Sequence, residues 1–119
     1  MSMTVLIVED EPDIRNLYEK VLRKEGFVVL LAKDGREGLD IALEKSPAVI
    51  LLDILMPEMD GIAVLRSLRA KGYDGKVIIL TASPILHVQE GVELGIYAYL
   101  NKVLSTPKEI ADLIKQAVK

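Results

Sequence analysis

The sequence predicts an α/β fold built around a mostly parallel five-stranded sheet. Two observations favour it: short runs that are apolar at every position, and helical patterns that separate those runs. Apolar runs without alternation are typical of parallel strands covered on both faces, and the intervening helices supply right-handed crossovers. We therefore expect five strand–helix units arranged as a three-layer sandwich.

Each of the five units begins with a segment of strand character. The predicted strands are residues 4–8 (TVLIV), 27–31 (FVVLL), 48–52 (AVILL), 76–80 (KVIIL) and 96–100 (IYAYL). Valine, isoleucine and leucine dominate these runs, and β-branched residues favour a pleated, buried surface. The runs are each five residues long, which suits strands better than helices.

Start and stop signals mark the helices between these strands. Pro12 suits a first helical turn, and Gly26 follows the first helix. The other signals are the capping-box pattern from Asp34 to Glu37, Asp60 and Gly72 around the third helix, Ser83-Pro84 before a fourth helix through Leu94, and the Thr106-Pro107-Lys108-Glu109 capping box before the fifth.

Length and composition predict one compact domain. The 119 residues are half hydrophobic and 28% charged, which is ordinary for a domain with a real core. Cysteine is absent, so disulfides and thiolate sites are excluded. The net charge of −3 gives no support to direct nucleic-acid binding. Neither a signal-peptide pattern nor a membrane-spanning run of roughly 18–20 apolar residues occurs, and we expect a cytoplasmic protein without membrane contact.

Polar side chains follow four of the five predicted strands. They are Glu9-Asp10, Asp53, Thr81 and Lys102. In open parallel sheets, ligands bind outside the carboxyl ends of the strands, so these side chains should meet there. Alone, each has an ordinary explanation: an aspartate caps a helix, a threonine favours a strand and a lysine is solvated. Their joint position at four strand ends indicates a functional site instead.

Carboxylates, a hydroxyl and an ammonium group suit a magnesium ion and a phosphoryl group. Asp53 lies just past a buried strand, where a nucleophile toward phosphorus is held rigidly. Asp10 and Asp53 offer two ligands to Mg²⁺ (or Mn²⁺), a backbone carbonyl near Leu55 offers a third, and Glu9 acts directly or through water. Lys102 can pair with one phosphoryl oxygen, and the hydroxyl of Thr81 can donate to another.

These residues make the chain resemble the receiver domain of two-component response regulators. The matching stretches are Val8-Glu9-Asp10-Glu11-Pro12, Leu52-Asp53-Ile54-Leu55-Met56-Pro57-Glu58-Met59-Asp60-Gly61, Thr81-Ala82 and Tyr99-Leu100-Asn101-Lys102. The resemblance covers essentially the whole chain. It implies a flavodoxin-like fold with strand order 2-1-3-4-5.

The resemblance also implies roles for individual residues. Asp53 would accept a phosphoryl group from a phosphohistidine on a sensor histidine kinase or a histidine phosphotransfer protein. Glu9 and Asp10 match the acidic magnesium pair, Thr81 the switch hydroxyl and Lys102 the phosphoryl-pairing lysine. Tyr99 matches the aromatic residue that turns inward on activation. The chain would catalyse its own phosphorylation and dephosphorylation rather than turn over a separate substrate.

Two positions depart from the family's usual pattern. Glu9 replaces the commoner aspartate, and Val103 stands where the family usually has a proline after a cis peptide. A cis bond before a residue other than proline costs about 3–4 kcal/mol. With few obvious polar anchors around Val103 and Leu104, we expect a trans bond and a locally altered loop. The long stem of Lys102 should still allow its ammonium group to reach Asp53.

Three other classes of protein are compatible with parts of this pattern. A haloacid-dehalogenase-like phosphatase needs a second aspartate two positions after the nucleophile, where Leu55 stands. A nucleotide-binding module needs a glycine-rich phosphate loop, which the sequence lacks. The third alternative is a degenerate receiver that acts only as a docking module, but such a domain would normally have lost Asp53, Thr81 or Lys102.

The resemblance places the output surface on the fourth helix, the fifth strand and the fifth helix. The fourth helix carries more apolar positions than one buried stripe needs: Ile85, Leu86, Val88, Val92 and Leu94. Either this helix has a broad core-facing side, or part of it is exposed for a downstream protein or effector domain. Whether the domain acts alone or within a larger protein stays open in the sequence.

Overall fold

A computed structural model describes residues 3–54, 60–82 and 88–119 of the chain, with the side chain of residue 88 excepted. The strands are β1 (Thr4–Val8), β2 (Val28–Ala32), β3 (Val49–Asp53), β4 (Lys76–Thr81) and β5 (Ala98–Asn101). The helices are α1 (Pro12–Lys24), α2 (Gly35–Lys45), α3 (Gly61–Ala70), α4 (Val88–Glu93) and α5 (Pro107–Ala117). Ser83-Pro84, the predicted start of the fourth helix, lies outside the described residues.

The five strands form one parallel sheet in the order β2-β1-β3-β4-β5, which confirms the predicted topology. Successive residues of a strand face opposite sides of the sheet, and both sides are buried. Leu6, Ile50 and Ile79 pack against α2 and α3, whereas Ile7 and Leu51 pack against α1 and α5. Helices on both faces explain why the strands are apolar at every position.

Helix ends follow the predicted signals, with one difference. At the start of α5, the side chains of Thr106 and Glu109 bond reciprocally to each other's backbone, so the capping box is confirmed. Asp34 accepts from the N–H of Glu37 at the start of α2, as predicted. The carboxylate of Glu37, however, accepts from the N–H of Lys33 rather than that of Asp34. The expected reciprocal box is therefore shifted by one residue.

Candidate functional site

The ammonium group of Lys102 is the centre of the polar cluster at the carboxyl edge of the sheet. Its Nζ lies 2.6 Å from Oε1 of Glu9, 3.0 Å from Oδ2 of Asp53 and 3.7 Å from Oε1 of Glu11. The Lys102 side chain is only 12% exposed and that of Asp53 only 4%. Ion pairs with this little solvent contact are screened far less than surface pairs. The predicted approach of Lys102 to Asp53 is thus present.

Glu9 reaches the cluster because the chain leaves β1 in a constrained way. Its N–H donates to the carbonyl of Ala32 at 3.1 Å, and its own carbonyl accepts from Nη1 of Arg15 at 2.8 Å. The N–H of Glu11 donates to Oε2 of Glu9 at 3.3 Å. These bonds turn the Glu9 side chain inward, and it is buried. Glu9, rather than the half-exposed Asp10, is therefore the inner carboxylate of the acidic pair.

Asp53 is the last residue of β3 rather than the first residue after it. The start of α3 packs directly behind it, and the N–H of Gly61 donates to the carbonyl of Ile54 at 2.9 Å. A Cβ atom on Gly61 would lie 2.6 Å from both the carbonyl oxygen of Asp53 and the Cα of Ile54. Only glycine permits this approach between two backbones. Gly61 therefore supports the site through its lack of a side chain, a role that the sequence pattern alone does not reveal.

One ammonium group cannot neutralise two buried carboxylates. Burial, with a smaller contribution from the negative charge of Asp53, raises the pKa of Glu9 to about 8, although pairing with Lys102 opposes the shift. Burial by itself lowers the pKa of Lys102, but pairing with Glu9 and Asp53 outweighs that effect and the net pKa is raised. Lys102 therefore stays charged, and Glu9 is the group that retains a proton when no other cation is near.

The arrangement of oxygen atoms fits a small divalent cation. Glu9, Asp10 and Asp53 each offer a carboxylate oxygen, and these atoms lie within 4.8 Å of one another. Among the described residues, Oε1 of Glu9 is the buried side-chain oxygen without a hydrogen bond, despite its ion pair with Lys102. An acidic oxygen cluster with a deficit of positive charge is suited to Mg²⁺. The predicted backbone ligand, the carbonyl of Leu55, lies outside the described residues.

Thr81 and Tyr99 lie on the two strands beyond Asp53. The register between β3 and β4 places Leu80 opposite Asp53, and Thr81 is the next residue, fully buried at the end of β4. Tyr99 lies opposite Ile79 on β5, and its ring packs partly buried against the α2–α3 side of the core. Thr81 thus lies at the carboxyl edge of the sheet, where the polar cluster is. Tyr99 lies on β5, the outer strand next to β4.

The turn after Lys102 differs from the sequence expectation in one respect. The Lys102–Val103 bond is trans, as predicted. The expectation of few polar anchors was wrong, because Oδ1 of Asn101 accepts from the N–H groups of Val103 and Leu104. Asparagine before a turn is a recognised signal for such side-chain bonds. The interaction of Glu11 with Lys102 was also missed, since a glutamate at a helix start is ordinarily solvated.

The predicted output surface is divided between core and solvent at the positions that are described. Leu94 packs against the core, whereas Val92 is largely exposed and Tyr97 partly so. Ile85 and Leu86 lie outside the described residues, as does the side chain of Val88. Of the helices in the described part of the chain, none is long and apolar enough to cross a membrane.

Comparisons with known proteins agree with this geometry. The chain is similar to chemotaxis protein CheY4 of Vibrio cholerae, with 28% identity, a TM-score of 0.90 and coverage of 98% of this chain and 99% of that chain. It is also similar to a CheY-like receiver domain of Methanospirillum hungatei, with 26% identity, a TM-score of 0.92 and coverage of 99% and 94%.

A third similar structure is the receiver domain of the Francisella response regulator 1452, with 29% identity, a TM-score of 0.90 and coverage of 98% of this chain and 97% of that chain. The family model described as the response regulator receiver domain matches residues 5–115. A match over this much of the chain shows that the protein belongs to the receiver domain family of two-component response regulators.

Proposed function

We propose that this chain is a phosphorylation-dependent signalling switch whose phosphoryl acceptor is Asp53. The observation that supports this most directly is the pair of distances from Nζ of Lys102, 3.0 Å to Asp53 and 2.6 Å to Glu9, inside an acidic cluster. Asp53 lies at the rigid end of a buried strand, and a cation is already in place beside it. This is the charge arrangement that a carboxylate nucleophile needs to receive a dianionic group.

The phosphoryl donor is a phosphohistidine of a sensor histidine kinase or a histidine phosphotransfer protein. An oxygen of Asp53 forms a bond to phosphorus as the bond from phosphorus to the imidazole nitrogen breaks. The imidazole leaves with the electron pair of that bond and takes up a proton, and Asp53 becomes an acyl phosphate. Hydrolysis of the acyl phosphate by water returns Asp53 and inorganic phosphate, so the switch resets itself.

The residues around Asp53 divide the remaining tasks. Glu9, Asp10 and Asp53 hold Mg²⁺, which when bound neutralises charge on the phosphoryl oxygens. Lys102 shifts from the carboxylate of Asp53 toward a phosphoryl oxygen, and the hydroxyl of Thr81 donates to another. Thr81 is the last residue of β4, and α4 is the next helix along the chain, so we expect movement of Thr81 to alter the face that carries α4.

The output surface is the face formed by α4, β5 and α5. Val92 on α4 offers apolar surface there, and Tyr97 precedes β5. A groove of about 280 Å³ also opens beside α5. Its lining residues are Leu100, Ser105, Glu109, Asp112, Leu113 and Gln116. A downstream protein or effector domain would distinguish the two phosphorylation states by the shape of this face.

Phosphorylation of Asp53 tests the proposal directly. Incubation with Mg²⁺ and phosphoramidate, whose phosphorus–nitrogen bond resembles that of phosphohistidine, should add one acid-labile phosphoryl group, detected by intact-mass spectrometry. Asp53→Asn should abolish the addition, and excess chelator should do the same to the unmodified protein. Asp40→Asn, an exposed change on α2, should leave it intact.

The same experiment separates the switch from a docking module that works without phosphorylation. Failure of the unmodified protein to gain the group from phosphoramidate or acetyl phosphate would overturn the proposal in favour of that module. Gain of the group by Asp53→Asn at the normal rate would move the acceptor elsewhere.

A further inference from the structure

The turn that follows β5 is closed by the side chain of Asn101. Its Oδ1 accepts hydrogen bonds from the N–H of Val103 at 2.8 Å and the N–H of Leu104 at 3.1 Å. The backbone carbonyl of Asn101 accepts a third bond, from the N–H of Ser105 at 3.0 Å. These bonds replace the ladder that ends with β5. One residue thus satisfies three successive backbone donors.

Lys102 is enclosed by this turn. Its N–H donates to the carbonyl of Thr81 at 2.8 Å, which fixes its backbone on the side of β4. On the other side, the backbone that follows Lys102 is fixed by the bonds to Asn101. Rotation of that backbone would redirect the Lys102 side chain, because both leave the same Cα atom. The position of the ammonium group beside Asp53 and Glu9 therefore depends on the closed turn.

Apolar packing gives this turn little support. The side chains of Val103 and Leu104 are 76% and 77% exposed. Valine also leaves φ free to vary at position 103, whereas the ring of a proline would fix it. Because neither burial nor a ring restrains the turn, its conformation depends on the hydrogen bonds to Asn101.

We propose that Asn101 is a positioning residue for phosphoryl transfer, because it closes the turn that holds the ammonium group of Lys102 at the acceptor carboxylate of Asp53. The inference rests on the proposed function, since it assigns Asn101 to that reaction. Asn101 acts through Lys102 and needs no contact with the phosphoryl group. A misplacement of about 1 Å in a reacting group can cost roughly 100-fold in rate.

Two substitutions of similar volume distinguish the role of the Oδ1 acceptor from that of the volume of the Asn101 side chain. Asn101→Leu removes the acceptor, whereas Asn101→Asp keeps an oxygen that can accept both bonds. In saturating Mg²⁺ and phosphoramidate, we expect Asn101→Leu to slow phosphorylation of Asp53 by about tenfold, with Asn101→Asp within about twofold of the unmodified protein. Amide hydrogen exchange at Val103 and Leu104 should accelerate in the leucine variant alone.

Further measurements distinguish positioning from a general loss of structure. Mg²⁺ affinity, measured by titration, should stay within about twofold in both variants, because Asn101 is not a candidate ligand. Val103→Ala, which changes an exposed side chain of the same turn, should phosphorylate at the normal rate. Asn101→Ala is assayed as a second variant without the acceptor, so that poor folding of Asn101→Leu does not decide the result.

If the wild-type protein is phosphorylated, normal phosphorylation rates in Asn101→Leu and Asn101→Ala would overturn this inference and leave the proposed function intact. Equal slowing in Asn101→Asp and Asn101→Leu would overturn it too, since the acceptor atom would then be irrelevant. If the wild-type protein takes no phosphoryl group, the proposed function fails, and the role of Asn101 fails with it.

Discussion

At the carboxyl end of the sheet, one ammonium group faces the carboxylates of Glu9, Glu11 and Asp53. At the amino end, by contrast, the guanidinium group of Arg69 donates to four backbone carbonyls, with distances of 2.8–3.1 Å. Those carbonyls belong to Tyr73, Gly75, Leu94 and Gly95. Both cations join separate parts of the chain, but only the first is surrounded by charges that repel one another.

The amino end of the sheet contains a further hydrogen bond to a neutral backbone carbonyl. The hydroxyl of Tyr73 donates to the carbonyl of Pro47 at 2.8 Å, and Arg69 also lies over the Tyr73 ring, 5.8 Å from its centroid. Neutral acceptors around the Arg69 cation stabilise the fold without bringing like charges close together. At the carboxyl end, Glu9 and Asp53 compete for one ammonium group, so ionisation of both carboxylates lowers stability but provides affinity for a second cation. A departure from the best stability is expected at a functional site.

Removal of the ammonium group should produce the largest change in stability. Lys102→Met leaves Glu9 and Asp53 buried without their cation, and we expect a loss of roughly 3 kcal/mol in the free energy of unfolding near neutral pH in chelator. Urea unfolding measures this. Saturating Mg²⁺ should restore part of the loss, because a ligand that binds only the folded state stabilises it.

Lys108→Met is the matched control for this change, since Lys108 also pairs with two carboxylates, of Glu25 and Asp112, but on the surface. Its free energy of unfolding should match that of the unmodified protein within error. Equal stability of Lys102→Met and the unmodified protein would show that the buried cluster is not held by Lys102.

Removal of the guanidinium group should have a smaller effect on stability and none on chemistry. Arg69→Met leaves four carbonyls without their donor, for which we expect a loss of about 2 kcal/mol. The rate of Asp53 phosphorylation should be unchanged well below the melting temperature. Arg66→Met is the control on the same helix, because Arg66 makes one exposed contact with Glu90, worth at most about 0.5 kcal/mol. A phosphorylation defect in Arg69→Met would show that the two ends are coupled.

The sequence predicted the sheet well because burial on both faces leaves a direct compositional trace. It placed strand ends less well, since apolar character reports burial rather than pairing. Ile96 and Tyr97 were assigned to β5, yet they precede it, and the ring of Tyr97 lies near Lys76 instead. Asp53 was placed after β3 but belongs to it, because its backbone continues the ladder opposite Leu80.

The site residues were predicted from chemistry, but the atoms that position them were not. Glu9, Asp53, Thr81 and Lys102 carry functional groups that are conspicuous at strand ends. Asn101 acts through a side-chain acceptor in a turn, whereas Gly61 acts through the absence of a Cβ. Both effects depend on backbone geometry. The asparagine was predictable in part, because asparagine often bonds to amides two residues ahead. The clash that a Cβ atom on Gly61 would make with the backbone of β3 can be predicted only once the approach of α3 to β3 is known.

The pH dependence of stability in chelator gives the finest comparison, because it follows the binding of a single proton. Burial raises the pKa of Glu9 from 4.5 to about 8 in the folded protein. The folded state therefore binds this proton more tightly than the unfolded chain does. The stabilisation from proton binding is complete below the pKa of Glu9 in the unfolded chain, and it is lost as the pH rises through the pKa of Glu9 in the folded protein. We expect the free energy of unfolding to fall between about pH 5 and pH 8. Glu9→Gln, which stays neutral, should flatten this decline, whereas the exposed change Glu44→Gln should preserve it. Urea unfolding at several pH values measures both slopes, and equal slopes in the two variants would show that Glu9 is not the proton-binding group at this end of the sheet.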